Sequence, residues 1–250
     1  MIWIRSLLLI VLVYGTMFAM GVVGLVLVLW SRDWTYGWMR GFCRLTFWLS
    51  RHICGLRTEI RGTPPSDPVV IAAKHQSLLD VLMIFAAVPR PKFVMKRSLL
   101  WAPAFGLYAW RIGTVSIDRS AKGQGTKVLK ELNRQSHEDG QVVIYPQGTR
   151  ILPGVHAPYR RGAAMVYGRA GLPLVLAATN AGWFWPRKGI IRRPGTAVVE
   201  FLETLPAGLS ARKVMASMET RIEAASDALG AEAAHELAGL PPGLRAGLPK

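Results

Sequence analysis

Val69-Val-Ile-Ala-Ala-Lys-His-Gln-Ser-Leu-Leu-Asp80 decides the fold, because its period changes half-way along. Val69 to Ala73 is a short unbroken apolar run rich in β-branched residues, the pattern of a strand buried on both faces. Ser77, with Asp80 three residues on, is spaced as a helix N-cap and its partner, and leads into the apolar run Val81 to Val88. A strand feeding a helix through a short polar turn is the building unit of an α/β domain. Five residues of ideal helix rotate a side chain by about 500°, leaving i and i+5 about 140° apart. His75 therefore belongs on the turn, with Asp80 reaching back to it from the first helical turn, where the helix N-terminus favours negative charge.

Two further polar islands follow, Gly113-Thr-Val-Ser-Ile-Asp-Arg119 and Tyr145-Pro-Gln-Gly-Thr-Arg150. An imidazole titrates near neutrality, and an adjacent carboxylate fixes its tautomer and raises its basicity, so His75 with Asp80 is equipment for activating a hydroxyl. The plainer alternative is that Asp80 only closes a capping box and His75 is a polar loop residue. Arg119 and Arg150 each sit beside small or hydroxyl residues, and planar guanidinium groups bind phosphate through paired hydrogen bonds.

The three islands in this order resemble the glycerophospholipid acyltransferase family, and within it the branch that converts lysophosphatidic acid to phosphatidic acid. His75 and Asp80 match that family's His-x4-Asp block. Gly113, Ile117, Asp118 and Arg119 match Gly-x-x-Phe-Ile-Asp-Arg, with Ser116 where Phe is usual. Pro146, Gly148, Thr149 and Arg150 match Phe-Pro-Glu-Gly-Thr-Arg, with Tyr145 for Phe and Gln147 for Glu. Leu172-Pro-Leu-Val-Leu176 corresponds to a fourth, apolar block, so the resemblance covers roughly residues 60 to 205. It implies that His75 and Asp80 are catalytic, that Arg119, Gln147, Gly148, Thr149 and Arg150 bind the phosphate and glycerol of the acceptor, and that no metal or other cofactor is needed. Gln147 keeps hydrogen bonding but gives up the charge of Glu.

Of 250 residues, 51% are hydrophobic, a large share for a freely soluble protein. No charge occurs between Arg5 and Arg32, a 26-residue stretch that as a helix would measure about 39 Å against a hydrocarbon core of about 30 Å. It reads as a membrane anchor that crosses with tilt; Gly15, Gly21 and Gly24 leave open two shorter helices entering one leaflet. Arg5 stands alone before this segment while Arg32, Arg40, Arg44 and Arg51 follow it, which places the remainder on the cytoplasmic side of the inner membrane. Trp30, Trp34, Trp38 and Trp48 are expected at headgroup level, with residues 36 to 56 as an amphipathic helix on the membrane or, alternatively, an ordinary core helix.

The net charge of +16 attracts polyanions. Nucleic acid is disfavoured, because the basic residues are scattered and no nucleic-acid-binding motif is present; anionic membrane lipid, coenzyme A or an acidic acyl carrier protein fit better. Cys43 and Cys54 have no metal-ligand spacing and imply no disulfide in a cytosolic domain. Neither a Gly-x-Ser-x-Gly elbow nor a His-Glu-x-x-His helix occurs, and Lys122 to Lys127 lacks the spacing of a phosphate loop. His52, His137 and His156 read as surface or interface residues, and His235 as part of the tail.

The chain thus divides into a hydrophobic anchor (1–35), a membrane-interface helix (36–60), an α/β domain (61–230) with a central mainly parallel or mixed sheet flanked by helices, and a weakly ordered tail (231–250). Strands are expected at 69–73, 92–95, 113–117, 142–145, 174–178 and 197–201, and helices at 77–87, 103–110, 123–138, 162–170 and 210–229. All three islands then fall at strand ends, where loops converge on one edge of a sheet. The activity implied by the resemblance is transfer of an acyl group from acyl-CoA or acyl carrier protein to the sn-2 hydroxyl of lysophosphatidic acid, in phospholipid biosynthesis. Two alternatives are carried with it: another lyso-lipid acceptor such as lyso-ornithine lipid, which Gln147 would suit, and a catalytically silent lipid-binding protein, against which the retention of both His75 and Asp80 argues.

Overall fold

The computed structural model describes residues 2–96, 98, 101, 105–117 and 140–241. The elements run α1 Ile2–Val23, α2 Leu25–Trp30, α3 Arg32–Leu49, a π-helical turn Ser50–Cys54, β1 Leu56–Arg61, β2 Val69–Ala73, α4 Leu79–Ala87, β3 Pro91–Lys96, α5 Phe105–Arg111, β4 Val115–Ile117, β5 Gln141–Ile144, α6 Gly162–Ala170, β6 Leu174–Thr179, α7 Ala181–Phe184, β7 Gly195–Leu205 and α8 Ala211–Ala238. The strands form one sheet in the order β1-β7-β6-β2-β5-β3-β4. Every neighbouring pair is parallel except β6 with β7, so the sheet is mixed.

The strand expected from the opening stretch is β2, all five residues buried and paired on both sides, to β5 and β6. Successive side chains of a strand point to opposite faces, and β2 separates two cores accordingly. Val69, Ile71 and Ala73 join the core that holds Leu79, Met83 and Ile84 of α4, Leu9 and Val13 of α1, and Phe184. Val70 and Ala72 join the core that holds Ala163, Val166 and Tyr167 of α6 with Val214, Met218 and Ile222 of α8. Two helical layers thus cover the sheet, with α1, α3, α4 and α7 on one side and α6 with the first half of α8 on the other.

The apolar segment breaks at Gly24, not at Gly15 or Gly21, which lie within α1. A Cβ at residue 24 would stand 2.1 Å from Tyr108 Oη and 2.4 Å from Trp38 Nε1. Both groups donate to Met20 O, at 3.1 and 2.9 Å, capturing a carbonyl beside the break. At its other end α1 is held by Ser6, whose Oγ accepts from Arg192 N at 2.8 Å. α1 is long and apolar enough to cross a membrane, yet it is docked on the domain near both ends with most of its surface facing outward. Trp38 is therefore engaged internally, whereas Trp30, Trp34 and Trp48 are exposed. α3 serves both readings of its sequence: Tyr36 and Cys43 pack on Phe85 and Ile112, while Trp34, Leu45 and Trp48 face out.

Three elements differ from the sequence expectations. The segment expected as an interface helix to residue 56 ends at Cys54, and Gly55, at φ 69°, turns the chain into β1. β1 is an edge strand paired only to β7, which lets it carry Arg57, Glu59 and Arg61. The last helix continues past Leu229 to Ala238, placing His235 in its final turn, because the Ala- and Glu-rich sequence favours helix until Gly239. Ala233 and Leu237 reach the core, and Gly230 admits the Trp183 indole, whose Nε1 would lie 3.3 Å from a Cβ there. The helix expected over 123–138 lies outside the described residues.

The Gly24 contacts give a direct test. Gly24→Val is expected to lower the thermal midpoint of the detergent-solubilised protein, with overpacking of about 1–3 kcal/mol, and the loss should shrink in a Tyr108→Phe background, where one of the two clashing atoms is gone. Equal losses in both backgrounds would show that the contact does not govern the break.

Candidate active site

β2 and β5 are parallel neighbours at the centre of the sheet, so the turns leaving their C-terminal ends emerge side by side. The β2 turn carries Lys74, His75, Gln76 and Ser77; the β5 turn carries Tyr145 to Arg150. They are joined by Ile151 N donating to His75 O at 2.8 Å, which brings Arg150 to within one residue of the contact.

Asp80 is fully buried and divides its two oxygens between two tasks. Oδ2 accepts from Gln76 N at 2.8 Å and Ser77 N at 2.6 Å, closing the start of α4 as a capping box does. Oδ1 meets His75 Nδ1 at 2.8 Å. An ionised carboxylate only accepts, so Nδ1 carries the proton and Nε2 is left with its lone pair. The capping role and the histidine-orienting role, which compete in the sequence, coexist in one side chain. Ser77 Oγ accepts from Leu79 N at 3.1 Å and donates to Trp185 O at 2.6 Å, and Gln76 Oε1 accepts from Gly182 N at 3.1 Å, so the whole turn is pinned to α7 and its flank.

The His75 ring stacks on Tyr145, centroids 3.9 Å apart at 19°, and its side chain keeps 17% exposure. The Tyr145 hydroxyl is buried close to the Asp80 carboxylate without a hydrogen bond of normal geometry. Burial first, and then the Asp80 charge, hold its pKa well above that of a free phenol.

The β5 turn depends on Gly148, whose φ of 71° is in the left-handed region that glycine enters freely. Gly148 N donates to Tyr145 O at 2.8 Å, and the Arg160 side chain lies against the glycine, its Cδ 3.1 Å from where a Cβ would be. Arg160 Nε donates to Gln147 O at 3.1 Å. Gln147 is buried, while Gly148, Thr149 and Arg150 are half-buried on the same turn. Of the residues proposed from the sequence, His75, Asp80, Gln147, Gly148, Thr149 and Arg150 therefore share one end of the sheet. β4 is in place at the sheet edge, but Asp118 and Arg119 lie outside the described residues.

A family model described as Acyltransferase matches residues 57–178. The 1-acyl-sn-glycerol-3-phosphate acyltransferase of Pseudomonas aeruginosa is 34% identical over 192 residues, 74% of each chain. The chain belongs to the glycerophospholipid acyltransferase family. The human 1-acyl-sn-glycerol-3-phosphate acyltransferase alpha is 37% identical to this acyltransferase over 130 residues, 50% of this chain and 46% of the human one. The fold is that of the crystal structure of the LPA acyltransferase PlsC from Thermotoga maritima, with a TM-score of 0.75 over 92% of this chain and 99% of that one, at 19% identity.

Behind this acyltransferase's β5 turn lies a polar cluster that the sequence did not announce. Lys74, 3% exposed, pairs with Glu223 of α8 at 2.5 Å, and Tyr159 Oη donates to Glu223 Oε1 at 2.9 Å. Burial and then the Glu223 charge raise the Tyr159 pKa. His156, expected as a surface or interface residue, is exposed and bonds Asp227 at 2.9 Å. Lys74 directly precedes His75, but nothing local marks Glu223, one acidic residue among several in a long helix.

Tyr145→Phe keeps the ring stack and removes a buried hydroxyl that lacks a good partner. The expected result is a thermal midpoint equal to or above wild type, since an unsatisfied buried polar group costs about 1–3 kcal/mol, with acyl transfer within a few-fold. A lowered midpoint in differential scanning calorimetry would mean that the hydroxyl is satisfied after all.

Proposed function

We propose that the protein transfers an acyl group from an acyl thioester, carried by coenzyme A or acyl carrier protein, to the sn-2 hydroxyl of 1-acyl-sn-glycerol-3-phosphate, giving phosphatidic acid in phospholipid biosynthesis. The observation that carries the proposal is the His75–Asp80 contact, in which a buried carboxylate fixes Nδ1 as the protonated nitrogen and leaves Nε2 as a base. The names and reaction of the Pseudomonas and human relatives supply the substrate class.

His75 Nε2 takes the proton of the acceptor hydroxyl as that oxygen bonds to the thioester carbonyl carbon. The tetrahedral intermediate then collapses, the C–S bond breaks, and the imidazolium returns its proton to the thiolate. Asp80 stabilises the imidazolium in between, as the carboxylate of a catalytic triad does. Arg150 and Arg119 hold the phosphate, Gly148 allows close backbone approach, and Thr149 adds a donor. Binding energy from a group that does not react thereby positions the one that does. Gln147 meets the glycerol of the acceptor.

The protein is membrane-associated in this reading, its catalytic domain on the cytoplasmic face of the inner membrane. The outward apolar surface of α1 and α2, continued by exposed Trp34 and Trp48 of α3, supports it. Docking of α1 near both ends favours a helical hairpin lodged in one leaflet over an isolated span.

Purified, detergent-solubilised protein is expected to consume acyl thioester and form phosphatidic acid when given lysophosphatidic acid. His75→Ala should lose about 10²–10⁴-fold in rate. Asp80→Asn should fall comparably, because the amide oxygen stays with the Gln76 and Ser77 N–H groups, its NH2 then faces Nδ1, and the proton is forced onto Nε2. Arg150→Ala should chiefly raise KM for the phosphate-bearing acceptor. Transfer only to a lyso-aminolipid such as lyso-ornithine lipid would move the acceptor, and the absence of His75-dependent transfer with any donor would leave a lipid-binding protein.

A further inference from the structure

Gln147 cannot be understood from its own position alone. Its Nε2 lies 3.2 Å from Glu223 Oε1 and 3.2 Å from Ala157 O. Both partners accept, so that end of the side chain must be the amide NH2, and both its protons are committed to the protein interior. Among the described residues no donor meets the other end, Oε1. Glu223 is itself saturated: Lys74 Nζ reaches Oε1 at 2.7 Å and Oε2 at 2.5 Å, and Tyr159 Oη adds its bond to Oε1. Lys74 is the buried cation opposite this carboxylate, and the exposed His156, bonded to Asp227, brings its Nε2 to 3.7 Å from Oε2. A glutamate at 147 would set a second carboxylate against Glu223 where the amide now donates, and two carboxylates side by side disfavour each other's ionisation even with Lys74, His156 and the Arg160 guanidinium near them.

We propose that Glu223 is a positioning residue of the active site, acting through Gln147. By holding the amide by its NH2, it presents Oε1 as a fixed acceptor toward the hydroxyl-bearing glycerol of the lysophospholipid, and it dictates that residue 147 be an amide. The pair does together what a single carboxylate would do alone: Gln147 supplies the acceptor atom and Glu223 the charge, one residue further back. This deepens the proposed function and rests on it. On this reading the β5 turn carries a neutral residue at this point and keeps the same acceptor class.

The test is a reciprocal exchange in the full-length protein: Gln147→Glu, Glu223→Gln and the double variant, each assayed for kcat, for KM with lysophosphatidic acid, and for thermal midpoint. Gln147→Glu is expected to raise KM by about tenfold at neutral pH, the worth of one misdirected hydrogen bond. The ratio of its KM to that of wild type should fall as pH is lowered, because protonating either carboxyl recreates a donor facing an acceptor. The double variant, with its amide at 223 and its carboxylate at 147, again has one charge opposite Lys74 and should recover KM to within a few-fold of wild type. Should Gln147→Glu fail to fold, Glu223→Gln carries the test: only Ala157 O then orients residue 147 and the charged acceptor is gone, so KM rises while kcat holds, whereas a purely structural role lowers the midpoint and leaves both constants of the folded protein unchanged. A double variant no better than the worse single one, with a pH-independent KM ratio, would overturn the proposal. Wild type that forms no phosphatidic acid would instead overturn the functional reading beneath it.

Discussion

A buried carboxylate with all its donors in place is the constraint on which the centre of this molecule depends. Asp80 has no access to water, and an isolated charge there would be prohibitively costly. It is tolerated because two backbone N–H groups and an imidazole N–H converge on it. The relation also runs the other way: Gln76 N and Ser77 N would be orphaned donors without the carboxyl group, so the turn between β2 and α4 has its shape only while Asp80 is in place. The group that orients His75 is therefore also the group that closes the turn on which His75 sits, and folding the turn brings the two side chains together.

The two-residue period of β2 explains how so much polar chemistry fits around one strand end. Lys74 and His75 are neighbours in sequence but continue opposite faces of the strand. His75 follows Val69, Ile71 and Ala73 toward the layer of α4, and Lys74 follows Val70 and Ala72 toward the layer of α6 and α8. Each face then has its own buried carboxylate, Asp80 on one and Glu223 on the other. The two are kept apart by the strand itself, so their charges are balanced separately: Asp80 by hydrogen-bond donors and Glu223 by an ammonium and a phenol.

Legibility in the sequence followed the range of the interactions. β2, α4 and the His75–Asp80 contact all lie between Val69 and Ala87, and local pattern was enough to place them. The sheet class was legible because strands and helices alternate. β1 was hidden because an edge strand buries little; Leu56, Thr58 and Ile60 alternate with charges too weakly to stand out from the arginine-rich helix before them. The end of α8 was misjudged because alanine and glycine look featureless, whereas their smallness is what lets Trp183 approach Gly230. Glu223 was illegible for a stronger reason: its contacts with Lys74 and Gln147 bridge 149 and 76 residues of sequence. Nothing in a helix period records a partner at that distance.

Packing also relates the outward apolar surface to His75. Tyr36 of α3 meets Phe85 of α4 at 6.0 Å between ring centroids, Phe85 meets Phe93 of β3 at 6.4 Å, Phe93 meets Tyr145 at 6.2 Å, and Tyr145 stacks on His75. Aromatic rings have few rotamers and pack as rigid bodies, so this row fixes the distance between α3 and the imidazole more firmly than aliphatic side chains would. α3 in turn holds α1 through Trp38 and Met20. A protein acting on a lipid embedded in a membrane must keep its base at a set depth relative to the surface that enters the bilayer. On the proposed reading that depth is set by the row of rings running from Tyr36 of α3 to His75, and the stack of Tyr145 on His75 is its last step. The hydroxyl of Tyr145 adds nothing to that row, which is why its burial beside Asp80 reads as a cost carried by the ring's position and not as a part of the chemistry.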